Sequence, residues 1–192
     1  MRGANRKRSK IVRKTTAGGR CGSKAGNRDL KANEKYVRPL RFYLDTSVWS
    51  ALFADRQPDH QHVAREVVDR AGKKAYELYA SDVVLAEVNG APDPLRTSLL
   101  SAVEGAAATI LETTADVEAF ADACVTRGIV PPKYRPDALH IGLAVISGAD
   151  ALLSWNMEHI VKLKTKREVG LLCLELGYRF IQIVTPEEVL GE

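Results

Sequence analysis

The sequence predicts an α/β fold with a mainly parallel central sheet that is covered by helices on both faces. Short apolar runs alternate along the chain with longer segments of helical periodicity, and this alternation is typical of parallel sheets. The predicted strands are residues 41–44, 75–80, 109–112, 151–154 and 180–184. The predicted helices are residues 46–54, 58–72, 82–89, 95–104, 115–127, 136–144, 168–176 and 186–190, and segment 157–166 is part helix and part basic loop.

The charge of the chain divides it into two parts. Residues 1–38 hold 13 Lys/Arg and 2 Asp/Glu, whereas residues 39–192 hold 15 Lys/Arg and 22 Asp/Glu. The first part has few apolar side chains, so burial cannot offset the entropy lost on ordering. We therefore predict a basic, disordered tail at residues 1–38 and one folded domain at residues 39–192.

The basic tail has three open interpretations. It is a tether for nucleic acid, a solvated tail without a role, or the product of a mis-assigned start, with the true start near Val37 or Leu40. We favour the last two over the first. The tail lacks the apolar middle of a secretory signal.

Apolar runs and cysteines exclude two classes of protein. No uninterrupted apolar run approaches the roughly 20 residues that cross a bilayer, so we expect no membrane association. The three cysteines are odd in number and far apart, which gives neither a disulfide framework nor a zinc motif: Cys21, Cys124 and Cys173. We expect buried or incidental thiols in a reducing cytoplasm.

The first strand ends in a carboxylate, Asp45, which two hydroxyl residues, Thr46 and Ser47, follow directly. The hydroxyls mark the start of a helix. Asp45 therefore lies at the carboxyl end of a strand, where open α/β sheets bind ligands. It is alternatively the N-cap of that helix. In the next helix, Pro58 to Gly72, His60 and His62 are interpreted as solvated first-turn residues rather than a metal pair.

Two later helices carry the other acids. Ser81 caps the helix 82–89, in which Glu87 shares a face with Val83 and Val84, so Glu87 lies at the rim of the core or in a site. Pro136 opens a helix that is apolar on most sides and hence buried. Asp137 in its first turn suits the helix dipole and either caps the helix or contributes to a site.

Three further polar residues lie in the helix that Pro136 opens and at the two ends of the fourth strand. His140 is interpreted as a satisfied core or rim histidine rather than a ligand. The fourth strand ends in Trp155-Asn156, which puts Asn156 at the same edge as Asp45. Asp150 precedes that strand, at the opposite end, and is interpreted as structural.

The polar residues that follow the strands are expected to meet. Asp45, Glu87 and Asn156 follow the first, second and fourth strands, and the helix opened by Asp137 leads back into the fourth. Clustered carboxylates raise each other's pKa, and a hard divalent cation removes that penalty. Oxygen ligands without Cys suit Mg²⁺ or Mn²⁺ rather than Zn²⁺. Such a site is suited to metal-assisted phosphodiester hydrolysis.

Four pieces of the sequence resemble the PIN-domain nucleases, and more closely the VapC-type toxins of toxin–antitoxin pairs. The pieces are Leu44-Asp45-Thr46-Ser47, Ala86-Glu87-Val88, the segment from Asp137 to Ala144, and the segment from Leu153 to Ile160. The resemblance covers residues 41 to 190 and none of the basic tail. It implies a three-layer α/β/α sandwich and a Mg²⁺-dependent ribonuclease that acts in the cytoplasm.

The resemblance also implies roles for individual residues and partners. Asp45, Glu87 and Asp137 match the family's acidic metal-binding positions, and Thr46 or Ser47 matches a supporting hydroxyl. Asn156 stands where the family often has Asp, so it ligates or hydrogen-bonds without adding charge. A cognate antitoxin that blocks the cleft and a homodimer formed through helices are further implications.

Two rival functions start from the same strand-end acid. A phosphatase of the haloacid dehalogenase type needs a second Asp two residues after the first, where this chain has Ser47. A non-catalytic PIN-type module that binds RNA or protein through a degraded metal site is the remaining alternative. Basic residues proposed to meet RNA phosphates, or to form an ordinary solvated face, are Lys133, Arg135, Lys162, Lys164, Lys166 and Arg167.

Overall fold

A five-stranded parallel sheet organises residues 38–191, which are the residues that the computed structural model describes. The strands are β1 (Leu40–Leu44), β2 (Tyr76–Ser81), β3 (Thr109–Leu111), β4 (Ala151–Leu153) and β5 (Gln182–Val184). Their order is β3-β2-β1-β4-β5, and every pairing is parallel. The predicted parallel sheet is therefore confirmed. The tail predicted at residues 1–38 lies, apart from Arg38, outside the described residues.

Helices cover the sheet on both faces. They are α1 (Thr46–Ala51), α2 (Pro58–Gly72), α3 (Asp82–Asn89), α4 (Leu95–Gly105), α5 (Ala115–Thr126), α6 (Arg135–Ile146), α7 (Leu163–Leu176) and α8 (Pro186–Leu190). Crossovers between parallel strands are right-handed. The path β1 to β2 to β3 therefore puts α1–α4 on one face, and the return through β4 to β5 puts α5–α7 on the other. The result is the predicted three-layer α/β/α sandwich.

The strand order reverses between β1 and β4, because β2 and β3 lie on one side of β1 and β5 lies on the far side of β4. In this parallel pair Phe42 lies opposite Ala151 and Leu44 lies opposite Leu153. One further backbone bond, from Asp45 N to Leu153 O at 3.2 Å, extends this ladder past the strand ends. Ligands of open α/β sheets bind where the strand order reverses, at the carboxyl ends of the strands. This position is where the sequence puts its polar residues.

The core is continuous from the central strands into α6. Tyr43, Leu44 and Leu152 are completely buried, because strands in the middle of a parallel sheet have both faces covered. A side chain at Gly142 of α6 would come within 3.1 Å of the Val117 carbonyl, so glycine allows α5 and α6 to pack closely. This packing fixes α6, and with it the residues of its first turn.

The boundaries differ from the predictions mainly at α7, which begins at Leu163 rather than at residue 168. Thr165 is buried and continues the inward stripe of Val169 and Leu172, and its hydroxyl donates to the His159 carbonyl at 2.8 Å. A polar residue on the inward face and the surrounding basic residues concealed this first turn. In residues 38–191 no helix has the length and apolar character needed to span a bilayer.

Candidate functional site

Asp45 is the most buried acid of the site and serves two purposes. It is the N-cap of α1, since its Oδ1 accepts hydrogen bonds from Ser47 N at 3.0 Å and Val48 N at 3.3 Å. Its side chain also lies at the carboxyl end of β1, 3% exposed. Burial raises the pKa of Asp45, although His140 and the bonds from Ser154 and Ser47 act in the opposite direction.

Two serine hydroxyls fix the Asp45 carboxylate and tie the end of β4 to it. Ser47 Oγ donates to Oδ1 and Ser154 Oγ donates to Oδ2, both at 2.5 Å. Ser47 Oγ also accepts from Trp155 N, and Ser154 Oγ accepts from Asn156 N, both at 2.9 Å. The orientation of Asp45 and the path of the Trp155-Asn156 loop are therefore set together. The sequence predicted the support from Ser47 but not that from Ser154.

Asp137 has a carboxylate oxygen without a partner. It lies in the first turn of α6 but makes no capping hydrogen bond, and its Oδ2 is buried without a hydrogen-bond partner. Burial raises the pKa of Asp137, and the charge of Asp45 raises it further. The Asn156 side chain and the nearby His140 and His159 partly oppose this shift. The alternative that Asp137 caps the helix is therefore wrong.

Glu87 reaches the site from α3. Its side chain is 37% exposed, and its Oε2 accepts hydrogen bonds from Thr46 Oγ1 and from His140 Nε2, the latter at 3.2 Å. Burial alone would raise the pKa of Glu87, but the bond and charge of His140, together with Thr46, lower it below the ordinary value. Thr46 is thus a support for Glu87, whereas Ser47 supports Asp45.

His140 lies in α6 between the core and the site. It is almost completely buried, and Tyr43 OH lies 2.7 Å from its Nδ1. Tyr43 OH lies 2.7 Å from Ser81 Oγ as well. The prediction of a satisfied core or rim histidine is confirmed. The sequence did not indicate its contact with Glu87, because spacing along the chain does not reveal that α3 and α6 meet here.

The Asn156 side chain lies between the loop that follows it and Asp137. Its Oδ1 accepts from His159 N at 3.0 Å, and its side chain lowers the pKa of Asp137 in part. The structure thus places Asn156 beside Asp137. Its role as a ligand stays a prediction.

Two aromatic pairs flank this loop. The ring of Trp155 stacks on His60 with a centroid distance of 4.5 Å, and His159 packs on Tyr134 at 3.8 Å. The prediction of a solvated first-turn residue therefore holds for the exposed His62 and holds in part for His60, which is partly exposed and stacked on Trp155.

The structure reduces the set of basic residues that are available to a ligand. Arg135 pairs with Glu118 and Asp122, and Arg167 pairs with Glu168. Lys166 lies 3.9 Å from Glu188. The residues of this set without a carboxylate partner among the described residues are Lys133, Lys162 and Lys164.

The donor chemistry of the site fits a hard divalent cation. Asp45 and Asp137 are carboxylates that no Lys or Arg of residues 38–191 neutralises, and Asp137 Oδ2 is a buried oxygen without a donor. Buried charge of this kind is stable only when it is compensated. Within the same residues, however, no three Asp, Glu, His or Cys side chains are gathered closely enough to form a ready-made metal group. The acids share one edge of the sheet, each held by its own hydrogen bonds.

Comparisons with known proteins give a family for most of this region. The chain matches the model of the PIN domain over residues 42–156. This range contains every residue named above as a candidate acid or amide. No curated protein matches the chain.

Two solved structures are similar to the chain. VapBC from Salmonella typhimurium bound to DNA is 18% identical, with a TM-score of 0.51 over 77% of this chain and 98% of that chain. VapBC2 from Rickettsia felis bound to a DNA fragment from its promoter is 16% identical, with a TM-score of 0.46 over 62% of this chain and 90% of that chain. The similarity to the Salmonella structure supports the α/β/α fold.

Proposed function

Since this chain belongs to the PIN domain family, we propose that it is a metal-dependent endoribonuclease and the VapC-type toxin of a type II toxin–antitoxin pair. One observation carries the proposal most strongly. At the point where the strand order reverses, Asp45 is a buried carboxylate and Asp137 a partly buried one. Neither has a lysine or arginine partner among residues 38–191, and the buried Asp137 Oδ2 has no hydrogen-bond partner. A divalent cation resolves this arrangement, and nuclease chemistry uses such an ion.

Asp45, Glu87, Asp137 and Asn156 are the residues that would hold Mg²⁺ or Mn²⁺. When bound, such an ion polarises a phosphate oxygen and lowers the pKa of water. The protein supplies the orientation of the carboxylates. The serine hydroxyls hold Asp45 from both sides, Thr46 and His140 hold Glu87, and the Asn156 amide lies beside Asp137. Fixed groups of this kind need little rearrangement during a reaction.

Lysine side chains near the site are the proposed contacts of the RNA backbone. Lys133 lies over the ring of Tyr134, which itself packs on His159 beside Asn156. Lys162 and Lys164 line a small cavity with His159. Contacts from lysine to phosphate position a nucleic acid without reading its sequence. RNA is therefore the proposed substrate class, with sequence preference set elsewhere.

A cognate antitoxin is the proposed protein partner, and a homodimer is the proposed assembly. The Salmonella structure is a VapBC complex, and we extend this pairing to the present chain. Four leucines of α7 face solvent, with 47% to 82% of their surface exposed: Leu163, Leu171, Leu174 and Leu176. Exposed apolar side chains on one helix support association with a second copy. We place the protein in the cytoplasm on the basis of this function.

Cleavage of RNA by the full chain tests the proposal. We expect cleavage with Mg²⁺ or Mn²⁺, none with EDTA, and a loss in Asp45→Asn that exceeds the roughly 10- to 100-fold typical of residues around metal ligands. Asp150→Asn is the matched control, since it makes the same chemical change at the other end of the sheet. It should retain activity.

Cleavage that persists in EDTA, or in Asp45→Asn, would contradict the metal-dependent mechanism. Circular dichroism of the variant shows whether the fold is kept, because Asn can still accept the two capping bonds that Asp45 Oδ1 accepts.

A non-catalytic PIN module that binds RNA or protein is the second candidate. It is favoured by Asn156, which adds no charge to the site, and by the missing three-residue metal group in residues 38–191. Binding of RNA without cleavage, unchanged by metal and by Asp45→Asn, would support this candidate over the nuclease.

A further inference from the structure

A chain of hydrogen bonds runs from the core to Glu87. Ser81 Oγ and Tyr43 OH lie 2.7 Å apart, Tyr43 OH and His140 Nδ1 lie 2.7 Å apart, and His140 Nε2 lies 3.2 Å from Glu87 Oε2. The first three residues are buried, and the His140 side chain is 3% exposed. Glu87 is the residue of this hydrogen-bonded series that reaches solvent.

The carboxylate at one end sets the direction of the hydrogen bond to Glu87. An ionised carboxylate only accepts, so His140 Nε2 carries a hydrogen and donates to Glu87. When the imidazole is neutral, Nδ1 is then the acceptor and Tyr43 donates its hydroxyl hydrogen to it. Ser81 Oγ accepts the Val84 N–H at 3.2 Å and can donate its own hydrogen to Tyr43. In this arrangement Tyr43 stabilises the tautomer of His140 that donates to Glu87.

The bonds to Glu87 are asymmetric. Thr46 and His140 both donate to Oε2, and Oε1 has no protein donor among residues 38–191. A carboxylate held through one oxygen has a fixed direction and keeps its second oxygen available to a ligand. Core packing alone does not require this arrangement, because apolar side chains would fill the positions of Tyr43 and His140 without burying polar groups.

We propose that His140, set by Tyr43, is a positioning residue that aims Glu87 Oε1 at the metal position beside Asp45 and Asp137. The proposal rests on the metal-dependent function given above. His140 acts through Glu87 and does not itself bind the ion or the RNA. Loss of a group that hydrogen-bonds to a metal ligand typically weakens metal binding by roughly 10- to 100-fold.

The Mn²⁺ affinity of the metal-free full chain tests the proposal. It is measured by titration with Mn²⁺, with calorimetry or electron paramagnetic resonance as the readout. We expect His140→Ala to weaken Mn²⁺ binding by roughly 10- to 100-fold, as is typical when a group that hydrogen-bonds to a metal ligand is removed. His140→Gln should recover most of the affinity, because its amide nitrogen can donate where Nε2 does. Tyr43→Phe should fall between the wild type and His140→Ala, since it leaves Nδ1 without its donor.

Leu172→Ala is the control for lost stability. Leu172 is fully buried in α7 and takes no part in the hydrogen-bond chain. Leu172→Ala should lower the melting temperature and leave the Mn²⁺ affinity unchanged. This result separates a local effect on Glu87 from general loosening of the core. If His140→Ala does not fold, His140→Gln and Tyr43→Phe carry the test.

The outcomes separate this inference from the proposed function. Equal Mn²⁺ binding by the wild type and Asp45→Asn, or no binding by either, would overturn both. Binding that is lost in Asp45→Asn but equal to the wild type in His140→Ala, or in Tyr43→Phe where His140→Ala does not fold, would overturn the positioning role alone. Loss in His140→Ala with recovery in His140→Gln supports it.

Discussion

The two ends of the central sheet treat their aspartates in opposite ways. At the amino end of β4, Asp150 accepts hydrogen bonds from the guanidinium groups of Arg38 and Arg179 at 2.6 and 2.7 Å and from the Arg41 N–H at 2.9 Å. At the carboxyl ends, serine hydroxyls and backbone N–H groups hold Asp45, and no arginine or lysine of residues 38–191 pairs with it.

The pKa values follow this difference. The hydrogen bond from Arg38, with those from Arg41 N and Arg179, lowers the pKa of Asp150 to about 2 although burial opposes the shift. Burial without a cationic partner raises the pKa of Asp45 and of Asp137. The chain neutralises the first carboxylate with its own arginines, whereas no lysine or arginine of residues 38–191 neutralises the other two. Under the proposed function, a metal ion would neutralise them.

The largest expected effect within this comparison is on stability without metal. Asp137→Asn should raise the free energy of unfolding by about 1 kcal/mol, because it removes the charge of a partly buried carboxylate that Asn156 and the nearby histidines offset only in part. Asp150→Asn should lower it by about 1 kcal/mol, because it removes charge from a partly exposed ion pair. Thermal melts in EDTA would show shifts of about 2–4 °C in opposite directions. Shifts of the same sign would contradict the inferred difference in charge compensation between Asp137 and Asp150.

A smaller effect is expected in how the two changes in the free energy of unfolding depend on pH. The folded pKa of Asp150 lies below the ordinary aspartate pKa of 3.8, so its ionised form stabilises the fold above pH 3.8. This contribution is lost as the pH falls from 3.8 through about 2. The Asp150→Asn penalty should therefore be constant at neutral pH and vanish in that acidic window.

Asp137 should show the reverse sign. Its folded pKa is raised, so its ionised form destabilises the protein at neutral pH, and protonation removes this effect as the pH falls toward 3.8. The advantage of Asp137→Asn should thus be largest at neutral pH and shrink on acidification. Urea unfolding at several pH values measures both trends, and an advantage that grows on acidification would contradict the assignment.

Much of the fold could be predicted from the sequence because the local signals agree. The run that ends at Asp45, the Ser81 cap and Pro136 each mark an element boundary within a residue or two of its observed place. Strict alternation of strands and helices then leaves a parallel sheet as the consistent solution. The start of α7 was missed because Thr165 is polar yet faces inward.

The contacts of the candidate site were less predictable, since they depend on the order of the strands. Ser154 reaches Asp45 because β1 and β4 are neighbours, although 109 residues separate them. The contacts of Tyr43, His140 and Glu87 likewise need β1, α6 and α3 in place. Asp45 showed both of its roles in sequence, as a cap and as a strand-end acid. The metal-binding roles of Asp45, Glu87, Asp137 and Asn156 stay predictions.

Diffraction from crystals of the full chain grown with Mn²⁺, with the anomalous signal of manganese recorded, tests the central claim most directly. We expect a peak bounded by oxygens of Asp45, Glu87 and Asp137 at the carboxyl ends of β1 and β4. We expect no peak at Asp150, which its arginines already neutralise. A protein saturated with Mn²⁺ that shows no peak at the first position, or a peak at Asp150 instead, would contradict the metal-binding role of these three acids.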